Sequence, residues 1–118
     1  MENTINLTKT LETAIEIIKE KKAENIVSLK FDSSQSSICD YFLICTAQNT
    51  RQAQTIASAL QKDMRSKIKL HSYAMEGFDL ANWILIDYGD IIIHIFLPET
   101  REFYSLEKLW ADTEIKNY

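Results

Sequence analysis

WILIDYGDIIIHIF, residues 83–96, decides the fold of this chain. Two runs rich in isoleucine flank a Tyr-Gly step, the pattern of a β-hairpin. With Tyr88 and Gly89 as the tight turn, Asp87 pairs with Asp90, Leu85 with Ile92 and Trp83 with His94. The period of two then separates the faces. Ile84, Ile86, Ile91, Ile93, Ile95 and Leu97 share a wholly aliphatic face, which reads as core. Trp83, Leu85, Asp87, Asp90, Ile92, His94 and Phe96 share the other, where aromatic, acidic and apolar groups mix.

Upstream, Leu7, Leu11, Ala14, Ile15 and Ile18 recur at helical spacing and predict a helix from about Thr8 to Lys22. NIVSLKFD (25–32) alternates as a strand, SSQSS (33–37) reads as a polar loop, and CDYFLICTA (39–47) is an apolar run typical of a strand covered on both sides. Asn49 or Thr50 caps a second helix whose Ala53, Ile56, Ala57, Leu60 and Met64 form one stripe. KLHSYAM (69–75) alternates weakly as a short strand. Downstream, Pro98 opens a helical turn PETREFY, and Ser105 caps a short helix LEKLWAD with Leu106 and Trp110 one turn apart. The expected architecture is α/β: residues 1–118 as one domain, with a single mixed sheet of about five strands flanked by helices.

Composition narrows the function. The chain has 118 residues, of which 46% are hydrophobic and 25% charged, which fits one folded core. No apolar run reaches the roughly 20 residues a membrane span needs. The N-terminus shows neither a signal peptide nor an Arg-rich transit peptide, and Cys39 and Cys45 form neither a C-x-x-C pair nor a disulfide framework. Reduced thiols and a cytoplasmic protein are the expectation. Net charge is −4, unevenly spread: residues 1–69 hold ten Lys and Arg against eight Asp and Glu, residues 70–118 three against nine. An acidic half points to a basic partner or a metal, and away from a nucleic-acid grip through that half.

Only Gly77 and Gly89 are present, so glycine-rich phosphate loops and a G-x-S-x-G elbow are absent. His71 and His94 stand in no zinc pattern, and Cys45 lies in an apolar strand where a thiolate is disfavoured. His94 reads as a neutral imidazole packed edge-on against Trp83. Three readings of the opposed aspartates compete. A solvated turn tolerates their repulsion, on the order of 0.2–1 kcal/mol. Asp87 and Asp90, with Asp40 or Glu76, hold a divalent cation in a nucleotidyl-transfer enzyme. Or the acids meet Lys and Arg on a partner while Trp83 and Phe96 supply anchors.

EGFDLANWILIDYGDIIIHIFLPETREFYSLEKLW (76–110) resembles the ribosomal silencing factor family, also called RsfS or Iojap. The resemblance lies in an E-G step, W-x-x-x-D-x-G-D, a His-bearing apolar strand and R-x-x-Y-x-L-E-x-L-W. CDYFLICTAQNTRQAQTIA (39–57) resembles the family's upstream block, with Asn49-Thr50 in place of its usual Ser-Ser pair. The similarity covers about residues 8–112, leaving the tail from 113 to 118 outside. It implies a nucleotidyltransferase-like fold without catalytic residues, no cofactor and no bound metal. It also implies binding to the large ribosomal subunit through the basic ribosomal protein L-fourteen. Bound there, the family blocks joining of the small subunit and represses translation under nutrient limitation. It further implies a homodimer that competes with ribosome binding, and no sequence-specific contact with nucleic acid. Carried over by position, the partner-binding residues are Trp83, Asp87, Tyr88, His94, Phe96, Arg101, Tyr104, Leu106 and Leu109, with Glu76 and Asp90. Trp83 and Tyr104 are the expected anchors.

Overall fold

The computed structural model describes residues 2–31, 39–111 and 113–118, with side chains from residue 7 onward; the SSQSS loop lies outside them. The apolar periodicities resolve into helix α1 (Glu2–Glu20), strands β1 (Glu24–Lys30) and β2 (Tyr41–Thr46), helix α2 (Thr50–Ile68), strands β3 (Ala74–Glu76), β4 (Trp83–Asp87) and β5 (Ile91–Phe96), helices α3 (Pro98–Tyr104) and α4 (Leu106–Leu109), and strand β6 (Glu114–Asn117). The strands form one mixed sheet in the order β3-β4-β5-β2-β1-β6. Only β2 and β5, which carry its centre, run parallel. The remaining four pairings are antiparallel.

The sheet has six strands rather than the expected five. The extra one is the tail: β6 pairs with β1 from Val27–Asn117 to Lys30–Glu114. All four of its residues are exposed, so it carried no apolar alternation by which to be read. At the opposite edge the strand expected over 69–75 shrinks to Ala74–Glu76, because Lys69 takes a left-handed conformation that ends α2.

One sheet face is closed by α1 and α2. Asn49 caps α2, its side chain accepting from the Gln52 amide at 2.8 Å. The stripe Ala53, Ile56, Ala57, Leu60 and Met64 is wholly buried against Ile84, Ile86, Ile93 and Ile95. From α1, which starts earlier than its apolar spacing announced, Leu11, Ala14, Ile15, Ile17 and Ile18 join the same core. Cys45 lies inside it, its thiol pushed up to about 12 by burial.

The hairpin keeps its expected faces and changes its register. Trp83 pairs with Phe96, Leu85 with His94 and Asp87 with Ile92, two residues away from the expected partners. Gly89 and Asp90 occupy the turn, closed by the Tyr88 amide donating to the Ile91 carbonyl at 2.9 Å. The cause is twofold. Gly89 has φ +86°, which suits the first central position of a two-residue hairpin, and a side chain there would meet the Tyr73 ring. Tyr88 is then the last paired residue on the helix-covered face, buried, with its hydroxyl 3.4 Å from the Leu60 carbonyl. A two-residue shift preserves parity, so every isoleucine stays where the pattern put it. Asp87 and Asp90, however, no longer face each other.

Candidate functional site

The second sheet face is built from the alternate residues of the same strands. Val27, Leu29, Phe31, Phe42, Ile44, Ile92 and Phe96 make a smaller aromatic core. The alternation of β4, with Ile84 and Ile86 buried and Trp83, Leu85 and Asp87 half-buried, marks where its cover runs out. That cover is the chain from Pro98 to Trp110. Pro98 starts α3, whose fixed φ suits a first helical position. Neither α3 nor α4 contains a fully buried residue. Ser105 does not cap α4 with its side chain as expected: it sits in a left-handed conformation at the end of α3, and its hydroxyl donates to the Glu102 carbonyl.

Arg101 fixes this cover to the sheet. One guanidinium nitrogen donates to the Asn25 carbonyl at 2.6 Å and the Thr46 hydroxyl at 2.7 Å. The others hold Glu107 of α4, at 2.6 and 3.1 Å. This is the ion pair among the described residues, and the Arg101 side chain is largely buried. Four of its five N–H donors are engaged within the molecule, so Arg101 positions the surface rather than reaching out from it.

Trp83 joins the two parts. Its ring stacks on Phe96 at 4.9 Å between centroids and meets Tyr104 of α3 at 4.6 Å. Its indole N–H donates to Nδ1 of His94 at 3.1 Å. The contact replaces the expected edge-on packing, for the two rings are tilted by 36°. An accepting Nδ1 places the proton of the neutral imidazole on Nε2. That atom is buried without a hydrogen-bond partner among the described residues, and the Phe42 ring lies edge-on to the imidazole with 4.5 Å between ring centroids. Burial holds His94 down to about 4, so it is uncharged near neutrality and suited to accepting from Trp83.

The expected site residues therefore divide. Trp83, Tyr104 and Leu106 come together on or next to the cover, with Tyr104 48% exposed, and Leu109 ends α4 at 69% exposure. Glu76, opposite Leu85 on β3, and Asp87 lie along the same sheet face, and Asp90 is exposed at the turn. His94 and Phe96 lie beneath, 3% and 0% exposed, where they support Trp83 and touch nothing outside. Tyr88 is on the other side of the sheet. Phe103, which is not among the expected site residues, is 80% exposed and edge-on to Tyr104 at 5.0 Å. A large aromatic on the outside of a helix with no buried residue is the signal that would have found it.

Chemically the arrangement is poor in reactive groups. Asp87 spends one oxygen on the Gly89 amide at 2.7 Å. No group of three His, Cys, Asp or Glu among the described residues is placed to share a cation. Cys39 is pushed up to about 11, mainly by burial, with its thiol against the Tyr41 carbonyl. The surface instead combines exposed aromatic and aliphatic side chains with acidic neighbours, the composition of a protein interface. No helix among the described residues is long and apolar enough to cross a membrane.

Comparison with known proteins shows the family. The family described as ribosomal silencing factor during starvation matches residues 4–117, including the tail strand. A ribosomal silencing factor of Bacillus subtilis is 38% identical, the alignment covering 94% of this chain and 92% of that one. A mouse protein named for mitochondrial assembly of the ribosomal large subunit is 32% identical over 86% of this chain and 45% of its own length. Among solved structures, a crystal structure of a Chromobacterium violaceum protein superposes with a TM-score of 0.83 at 27% identity, covering 88% of this chain and 85% of that one.

Proposed function

The chain belongs to the ribosomal silencing factor family, and on that premise we propose that it binds the large ribosomal subunit and keeps the small subunit from joining. Its partner there is ribosomal protein L-fourteen, and the outcome is repression of translation when nutrients are scarce. It acts in the cytoplasm by occupying a surface, without covalent chemistry, cofactor or metal.

The observation that carries this reading is the Trp83–Tyr104 contact, where a half-buried indole is held by Phe96 and His94 behind and by an exposed tyrosine in front. Around it stand Phe103, Leu106 and Leu109 as apolar contacts, with Glu76, Asp87 and Asp90 as acidic partners for a basic protein. An anchor that enters a desolvated pocket contributes about 2 kcal/mol or more, whereas a rim charge contributes ~0–1 kcal/mol. A homodimer that covers the same aromatics would compete with ribosome binding.

The metal-dependent nucleotidyltransferase alternative finds less support. Its paired carboxylates depended on Asp87 facing Asp90, and the register sets Asp87 against Ile92. The test is a subunit-joining measurement. Purified large and small subunits are mixed with the protein, and joined particles are followed by light scattering. Joined particles should fall as protein is added, to a plateau set by free large subunits. Unchanged joining at saturating protein would contradict the proposal.

A further inference from the structure

The excess of basic residues in the first half of the chain is not used by the docking surface. The fold gathers part of it on the helical layer, where a groove of about 410 Å³ runs along the solvent side of α2. Arg51, Thr55, Ser58 and Lys62 line it at helical spacing, and Lys21 reaches it from the turn after α1. From Arg51 to Lys62 the helix rises ~16 Å, enough to follow several successive backbone phosphates. Asp63 is the acidic side chain in the lining.

Three features separate this groove from an ordinary solvated helix face. Lys21, Arg51 and Lys62 are all exposed and take no part in the Arg101–Glu107 ion pair, the one present among the described residues. The first turn of α2 carries no acid and its last turn carries Arg65 and Lys67. And the charge is concentrated against the trend of a chain whose net charge is −4. We propose that this groove holds the phosphodiester backbone of RNA, without reading its sequence, as a second contact on the face away from Trp83.

The chemistry favours RNA over an anionic lipid surface. None of the large exposed apolar residues (Tyr73, Leu80, Phe103, Tyr104, Leu109, Ile115 and Tyr118) lines the groove, so it offers no large apolar side chain to insert between acyl chains. Its lining is guanidinium, ammonium and hydroxyl, the groups that bind phosphate oxygens. The inference rests on the large-subunit reading only in needing an RNA-rich partner. Its test uses naked RNA and stands or falls separately.

A fluorescein-labelled oligouridine is titrated with the full chain by anisotropy at several salt concentrations. Three phosphate contacts give a slope of log K against log salt of about −2 for a single strand. Arg51→Gln/Lys62→Gln should bind at least ~10-fold more weakly at about 50 mM salt and flatten the slope to about −0.7. Both positions are exposed, and an unchanged thermal melt confirms that the variant folds. Trp83→Ala, which is aimed at subunit capture, should leave the oligouridine titration unaltered. No binding by the parent chain at low salt, equal binding by the double variant, or binding to phosphatidylglycerol vesicles in place of RNA would each overturn the proposal.

Discussion

The two faces of the sheet are made by alternate residues of the same strands, yet they are finished differently. One is aliphatic and closed by two helices of 19 residues each, with Ile84, Ile86 and Ile95 fully buried. The other is aromatic, is covered by two short helices, and admits polar atoms: the Trp83–His94 hydrogen bond, the buried His94 Nε2 and the Arg101 clamp. The buried side of the first face has one task, which is to fold. The second keeps an indole half out of the core, held from behind by a buried, neutral imidazole.

That contrast orders the expected effects of mutation. The largest is on the helical side: Leu60→Ala removes a fully buried side chain from the α2 stripe and should lower unfolding free energy by about 2–5 kcal/mol in a urea titration. Subunit binding by the fraction still folded should be unchanged. Arg101→Gln should cost about 1.5–3 kcal/mol, by removing charge-assisted bonds to Asn25, Thr46 and Glu107. Its diagnostic is local: amide hydrogen exchange should accelerate across residues 98–110 and leave α2 protected. Uniform acceleration would remove the distinction between the two faces.

The next effect is in pH. His94 is held at about 4 in the folded chain, against an ordinary value near 6.5. Between these values the unfolded chain binds the proton and the folded chain does not. Stability from this group is therefore complete above about 6.5 and is lost as pH falls toward 4, by about 3 kcal/mol in all. His94→Phe should flatten that part of the melting profile. A profile equally steep in the variant would assign the slope elsewhere. The smallest expected effect is at the acidic rim, where Asp90→Asn should weaken subunit binding by ~0.2–1 kcal/mol and only at low salt.

Much of the helical face was legible in the chain. The Ala53-Ile56-Ala57-Leu60-Met64 stripe and the isoleucines of the hairpin follow from periods of 3.6 and 2, which need no knowledge of distant residues. Face parity survived an error in register, because a slip of two residues moves no side chain across the sheet. What the chain did not show were features decided by partners far along it. Arg101 finds Asn25 and Thr46 at separations of 76 and 55 residues, so its role as a clamp is invisible in R-x-x-Y. The β6 strand has no apolar face and exists because β1 offers it an edge. Tyr88 looked like a turn residue beside glycine, and only the position of α2 turns it inward. On the proposed docking side Trp83, Tyr104, Leu106 and Leu109 are named by resemblance alone, while the depth of His94 and Phe96 needs the cover to be seen in place.

We propose that the aromatic face docks the large subunit through Trp83 and Tyr104, while the core beneath the two long helices serves only folding. Sedimentation of purified large subunits with wild type, Trp83→Ala, Tyr104→Ala and Leu60→Ala, at a temperature where all four are folded by circular dichroism, tests it most directly. Trp83→Ala and Tyr104→Ala should each leave the subunit peak, a loss of about 2 kcal/mol or more, and Leu60→Ala should stay with it. If both aromatic variants remain bound at wild-type levels, the surface around Trp83 is not where this protein meets the ribosome.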